Sequence, residues 1–281
     1  MPGRASNLHA IELDLFLEAL ARRHGYDFRG YARASLRRRA AGLAIKLGCA
    51  TVAELIPRLL YDDSLLPEVL SGLSVPVTEM FRDPSVFKAI REQLVPVLAT
   101  YPRINIWQAG CATGEEVYSL AILLEEVGLL HKTQIYATDI NDQALAKAEE
   151  GIFPAKLIEK YTENYLKAGG TKALVAYFSL GYGFAKIDAA IKQRISFAHH
   201  NLVSDGVFCE VNLVVCRNVL IYFDRQLQDR VLGLFDTSLS RGGFLCLGTK
   251  ENLAFSAAAN AFQPVDASLR LYRKRQGVPP P

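Results

Sequence analysis

The chain has 281 residues, of which half are hydrophobic and 22% charged, with a formal net charge of +3. That composition describes one large globular domain, or a small one joined to a larger one, and excludes collagen, coiled-coil rods and wholesale disorder. No apolar run approaches the roughly 18 residues of a membrane span. The charge is too weak to imply nucleic acid by itself, and the start MPGRASNLHAIELD lacks the apolar stretch and cleavage-like site of an export signal.

From the amino terminus the apolar spacing is helical: Ile11, Leu15, Leu17 and Leu20, then Leu36, Leu43 and Leu47 before Gly48, then Val52, Leu55, Ile56, Leu59 and Leu60. Residues 1–75 are therefore predicted to form an all-helical domain of four or five short helices. Between Ala21 and Lys46 eight basic residues face one acid, Asp27, a net +7 that leaves −4 for the rest of the chain. Such a stretch is either a solvated helix face or a docking surface for an acidic partner.

Residues 76–102 are read as a linker and a first helix. In PVTEMFRDP, Thr78 and Arg82 are four apart, which on a helix puts both on one side. Asp83-Pro84 marks a turn or helix start. An arginine at a domain junction is as readily a structural ion pair as a functional group.

After Pro102 short apolar runs alternate with helical patterns: INIWQAG, helix 115–127, QIYATD, helix 142–150, QRISFAHHN, VNLVVCRNV, helix 224–240, GFLCLGT and LRLYRK. Strands separated by helices argue for βαβ units and a mostly parallel α/β sheet in residues 103–281. The stretch 151–194 breaks the rhythm and is predicted as an insertion, a helix followed by a small β-hairpin. Pro279–Pro281 is expected as a frayed tail.

Three places carry chemistry. In INIWQAGCATGEE a strand ends at Gly110, Gly114 follows, and a helix opens on Glu115-Glu116. The GxGxxG pattern of dinucleotide sites is absent, which disfavours a dehydrogenase. Two carboxylates in the first turn repel a pyrophosphate and suit a cationic ligand. The alternative is an ordinary strand–helix turn whose acids complement the helix dipole. In QIYATD a second strand ends at Asp139, 25 residues beyond Gly114, where Rossmann-like sheets hold a ribose diol. Together these point to adenosine joined to something cationic, a description that S-adenosylmethionine meets. Glu116 would take the ammonium and Asp139 the ribose. In VNLVVCRNVLIYFD, Arg217 and Asn218 follow a buried strand directly and are placed to face the ligand crevice, with Tyr222 nearby; the plain alternative is amphipathic packing.

The cysteines, Cys49, Cys111, Cys209, Cys216 and Cys246, are odd in number and scattered, without a CxxC pair. They read as reduced thiols of a cytoplasmic protein. His199-His200 face opposite ways on a strand and no HExxH occurs, so a metal site is not expected.

VTEMFRDP, AGCATGEEVYSLAI, YATDI and VCRNVLIYFD, in this order, resemble the CheR-type chemotaxis-receptor glutamate O-methyltransferases over about residues 10–275. The resemblance implies a small helical domain, a linker and a Rossmann-like S-adenosylmethionine-dependent methyltransferase domain with a small inserted β-subdomain. The activity it implies is methylation of glutamate side chains on cytoplasmic helices of methyl-accepting chemotaxis receptors, with S-adenosylhomocysteine as coproduct. The protein is expected to be a cytoplasmic monomer that neither inserts in membranes nor binds nucleic acid. By the same resemblance Thr78 and Arg82 belong to the cofactor site, with Arg82 close to the transferred methyl. Glu116 holds the methionine end, Asp139 the ribose, Asn201-Leu202 lie near the adenine, Arg217-Asn218 contact cofactor, and Tyr222 sits beside the methyl. Gly110 belongs to the cofactor turn. Arg37, Arg38 and Arg39 fall where the family has a receptor-contacting basic helix, which favours docking over a solvated face.

The chain also departs from the family. Pro76 stands where the family often has a cofactor-contacting asparagine, Met80 replaces the first Phe of Phe-Phe-Arg, and Val117 replaces a proline. Residues 159–176 are lengthened, and the segment from Tyr177-Phe178 to Phe197 is shorter than in members that grip a receptor's carboxyl-terminal peptide. Peptide tethering is therefore not expected. A glutamate carboxylate is ionised near neutral pH and needs no general base. Arg82 and Tyr222 would orient it for in-line displacement. The rival readings are a same-fold methyltransferase with another substrate and a non-catalytic S-adenosylmethionine-binding module.

Overall fold

The computed structural model describes residues 2–254 and 256–276, with side chains from Asn7 onward; the expected tail at Pro279–Pro281 lies outside them. Four α-helices come first: α1 (Pro2–His24), α2 (Arg33–Lys46), α3 (Leu55–Tyr61) and α4 (Leu66–Leu73). Leu13, Phe16, Leu17 and Leu20 recur at i, i+3, i+4 and i+7 along α1 and are all buried. They pack against Leu36 and Leu43 of α2, Leu55 and Leu59 of α3, and Leu70 and Leu73 of α4 in a core of their own. The first helix is one long element of 23 residues rather than a short one.

Residues 75–83 are not helical. This corrects the expectation that Thr78 and Arg82 share a helical turn. Phe81 and Asp83 take positive φ of 53° and 54°, which no helix tolerates, and Pro84 opens α5 (Pro84–Ala89). A π-helical turn, Ile90–Leu94, leads into α6 (Val95–Leu98), whose Pro96 has no N–H to continue the α ladder.

The remaining elements are β1 (Ile104–Ala109), α7 (Glu115–Glu126), β2 (Thr133–Asp139), α8 (Asp142–Glu150), β3 (Ile152–Pro154), α9 (Ala155–Lys167), β4 (Phe178–Gly181), β5 (Phe184–Ile187), α10 (Ala189–Lys192), β6 (Ile195–His199), β7 (Val211–Cys216), α11 (Arg225–Ser238), β8 (Leu239–Leu247), β9 (Phe262–Asp266) and β10 (Leu271–Lys274). Seven strands form one sheet in the order β6-β2-β1-β7-β8-β10-β9. The first five run parallel, and β10 is antiparallel to both its neighbours. Helices cover both faces, so β1 and β7 read as near-continuous apolar runs, and all residues from Glu115 to Leu124 of α7 are buried.

Two strands differ from expectation. Ile152–Pro154 precedes the helix of the insertion and completes a three-stranded sheet, β3-β5-β4, where a hairpin alone was predicted. Only Phe153 of its three residues is buried, too short a pattern to show in sequence. Phe262–Asp266 is a strand beyond those expected; as the sheet's edge it tolerates Pro264, which has no N–H to donate. Among the described residues no helix is long and apolar enough to cross a membrane.

The order reverses between β1 and β7, and that switch point is where open α/β sheets place their ligand crevice. The helical domain closes over it. Tyr31 forms an antiparallel bridge with Phe223, flanked by Ala32 N–H donating to Tyr222 O at 2.7 Å and Asp224 N–H donating to Gly30 O at 2.7 Å. The Tyr31 and Phe223 rings stack edge-on at 4.8 Å, and Asn141 Nδ2 donates to Ser74 Oγ at 2.8 Å.

Candidate active site

One cleft opens at the carboxyl ends of β1, β2 and β7, and the helical domain and linker complete its wall. Thr78, Arg82, Gly110, Glu116, Asp139, Asn201, Leu202, Arg217, Asn218 and Tyr222 all line it. These residues span some 140 positions of sequence, and the topology brings them to one place.

Strained backbone marks the same region. Six described non-glycine residues have positive φ, and four of them belong here: Ala112 and Asn218 line the cleft, while Phe81 and Asp83 flank Arg82. Such conformations persist only where the surroundings over-determine them, and they gather at functional sites. Each has its brace. Phe81 N–H donates to Ser119 Oγ at 2.9 Å, Ala112 N–H to Asp139 Oδ2 at 2.9 Å, and Asn218 N–H to Glu251 Oε2 at 3.2 Å. The Asp83 carboxylate accepts from Arg217 Nη2 at 2.6 Å.

Asp139 caps β2 with its carboxylate turned back over the β1 turn, and it also accepts from Asn141 N–H at 2.9 Å. Burial pushes its pKa above the ordinary carboxylate value, although the backbone donors at Asn141 and Ala112 pull the other way. Asn201 Oδ1 accepts from Val203 N–H at 3.0 Å in a tight local turn beside the buried Leu202.

Glu116 is not a free acid. Its Oε1 accepts from Arg217 Nη1 and its Oε2 from Gln108 Nε2 at 2.9 Å. Arg217 has a side chain only 1% exposed, sits over the Phe87 ring at 5.9 Å, and also donates to Arg82 O at 3.1 Å. Burial alone lowers a guanidinium's pKa; here the paired Glu116 and Asp83 carboxylates outweigh it, and the net shift is upward. The arginine expected as a cofactor contact is therefore also the counter-ion that ties the linker, β1's helix and β7 together. Among the described residues its buried Nε has no hydrogen-bond partner.

Gly110 has a reason the sequence did not show. Its φ is +71°, and a Cβ there would lie 2.5 Å from Val219 Cγ2. The glycine admits the loop after β7 as much as any ligand.

The three arginines of α2 separate. Arg37 and Arg38 are exposed, and among the described residues neither has an ion-pair partner. Arg39 is half-buried and lines the cleft: its guanidinium stands 5.2 Å from the Tyr222 ring centroid and Nη1 donates to Leu73 O at 2.7 Å. Burial lowers its pKa. Much of the surrounding positive charge is internally paired, Arg22 and Arg29 with Glu18, Arg29 with Asp27, Arg33 with Asp14, Arg23 with Asp63 and Lys46 with Glu68. Sequence reasoning also missed the helical-domain wall, Phe28, Tyr31 and Ser35, because no motif marks it.

Residues 11–74 match the model of the CheR methyltransferase all-alpha domain, and residues 76–270 that of the CheR methyltransferase SAM binding domain. A putative methyltransferase, Cher3, of Pseudomonas putida is 48% identical over 264 residues, 94% of this chain and 97% of that protein. A chemotaxis protein methyltransferase of Listeria innocua is 31% identical over 241 residues, 85% of this chain and 88% of that protein. Among solved structures, the N-methyltransferase NodS from Bradyrhizobium japonicum in complex with S-adenosyl-L-homocysteine is 16% identical, covering 56% of this chain and 58% of that one with a TM-score of 0.32. This chain belongs to the CheR family of S-adenosylmethionine-dependent chemotaxis methyltransferases.

Proposed function

We propose that this protein transfers a methyl group from S-adenosylmethionine to glutamate side-chain carboxylates on the cytoplasmic helices of chemotaxis receptors, giving glutamyl 5-O-methyl esters. The observation that carries the reading is the convergence of Arg82 and Tyr222 with Glu116 and Asp139 in one cleft roofed by a helical domain. The residues present suit the cofactor. Asp139 keeps acceptor capacity for a ribose diol beyond its two backbone N–H bonds. Glu116, with one donor on each oxygen, retains lone pairs for an ammonium. Arg217 lines the same cleft and would bring its guanidinium charge toward the carboxylate of the methionine end. Bound there, S-adenosylmethionine supplies an electrophilic methyl on a sulfonium.

The protein's own part is positioning and electrostatics. Arg82 is flanked by two strained residues, and its carbonyl is held by Arg217, so its side chain leaves a fixed backbone. It would hold the incoming carboxylate with Tyr222, whose ring Arg39 covers. An arginine pairing too tightly would blunt the nucleophile, so a role in orientation suits it better than full neutralisation. Exposed Arg37 and Arg38 would meet the acidic receptor face.

The test is methyl transfer from labelled S-adenosylmethionine to receptor cytoplasmic fragments, by wild type and by Arg82→Ala. The expected outcome is transfer by wild type and a loss of at least about 100-fold in the variant, with S-adenosylhomocysteine affinity changed far less. Undiminished transfer by Arg82→Ala overturns the assignment.

A further inference from the structure

The loop Arg217–Tyr222 carries Arg217, Asn218 and Tyr222 into the cleft, yet the group that shapes it stands outside the cleft's lining. Glu251 follows β8 and is 4% exposed. Its Oε2 accepts from the backbone N–H of Asn218 at 3.2 Å and of Gly248 at 2.6 Å, and its Oε1 from that of Ile221 at 3.2 Å. One carboxylate thus grips the loop at two points and fastens it to the end of β8. Packing alone would accept an apolar group here; a buried carboxylate is tolerated only where donors surround it.

The fit is close. A Cβ at Gly248 would lie 2.7 Å from Glu251 Oε2 and 2.8 Å from Asn218 N, so only glycine lets the three meet. Asn218 is left-handed at φ 61°, and the bond from its N–H to Glu251 is one of the constraints that hold it so. Leu220 inside this clamp and Phe223 just beyond the loop are buried, whereas Tyr222 between them is not, so the loop's path decides where the tyrosine points. Gln228 Nε2 adds a second tie, donating to Leu220 O at 2.9 Å and Phe223 O at 3.0 Å.

We infer that Glu251 is a positioning residue for methyl transfer: its carboxylate sets the conformation of the Arg217–Tyr222 loop and so the placement of Asn218 and Tyr222. The inference rests on the cleft being the methyl-transfer site. It needs no contact between Glu251 and either substrate. The experiment compares wild type, Glu251→Gln and Glu251→Ala in the full chain. Glu251→Gln keeps the shape and one acceptor oxygen, and should fold with a near-normal melting temperature. Its kcat should fall about tenfold or more, and any rise in KM for S-adenosylmethionine, through Asn218, should be smaller than that fall. The amides of Asn218 and Ile221 should exchange with deuterium at least about tenfold faster, without a matching change elsewhere in β7 and β8. Glu251→Ala should lose more than the glutamine variant.

Unchanged kcat and unchanged exchange at Asn218 and Ile221 would overturn the inference. So would an exchange increase spread evenly over β7 and β8, because that marks general destabilisation. If wild type transfers no methyl to receptor fragments, the assigned substrate fails separately. Exchange at the two amides of Glu251→Gln then still decides whether the carboxylate holds the loop.

Discussion

Replacing Arg217 with methionine removes the buried guanidinium and leaves Glu116 and Asp83 without their shared cation. Stranding a buried charge in this way costs about 3–5 kcal/mol. Asp83 is 37% exposed and regains water, so its share is small; Glu116, 11% exposed, does not. The working figure is therefore the lower end, about 3 kcal/mol, which lowers the melting temperature by about 6–12 °C in a domain of this size. Adding Glu116→Gln removes the stranded charge, and the double variant should return to within about 1 kcal/mol of wild type, a coupling of about 2 kcal/mol plus whatever Glu116→Gln costs alone. Cofactor affinity should not return with it, since the ammonium partner is then missing and a charged hydrogen bond of about 1.5–3 kcal/mol is lost. The assay is thermal unfolding paired with calorimetric titration of S-adenosylhomocysteine on all four proteins. A single variant costing under about 1 kcal/mol, or a double variant as costly as the sum of the singles, would refute the buried-counter-ion account.

Other outcomes follow from the same geometry. Burial raises the Asp139 pKa, so its ionised, ribose-holding form is lost at a higher pH than for a free aspartate near about 3.9. Cofactor affinity should fall as pH drops through that raised value, and in Asp139→Asn it should be weak and flat with pH, as read by calorimetry. The unliganded protein has the opposite sign: a raised carboxyl pKa means this residue's contribution to stability declines as pH rises from the unfolded to the folded value. Gly110→Ala should destabilise by at least about 1–2 kcal/mol from its φ alone and weaken cofactor binding, while Val219→Ala in the same chain relieves the 2.5 Å clash and recovers part of the loss. Charge reversal at exposed Arg37 and Arg38 should raise KM for a receptor fragment and weaken its salt dependence, leaving S-adenosylhomocysteine affinity unchanged.

The parts legible in the sequence were those with a strong local signal. The apolar strands INIWQA and VNLVVC announce a covered parallel sheet, and the acids at Glu116 and Asp139 carry their spacing from the glycine turn. The PVTEMFRDP segment misled because spacing was read as a helix, whereas Phe81 and Asp83 adopt left-handed backbone stabilised by Ser119 and Arg217, partners far away in sequence. The same distance hid Glu251, whose role depends on N–H groups more than 25 residues upstream. Arg39 was grouped with Arg37 and Arg38 by adjacency, but helix geometry turns successive residues by about 100°, and Arg39 alone faces the cleft.

The most direct test of the central claim is the chemical nature and position of the transferred methyl. Receptor cytoplasmic fragments would be incubated with the wild-type protein and labelled S-adenosylmethionine, then treated with mild alkali and mapped by peptide mass. Label released as methanol and traced to glutamate side chains, and abolished when those glutamates are replaced by alanine, is the predicted result. Label that resists alkali, or that persists without the glutamates, would contradict it and assign this cleft to a different methyl acceptor.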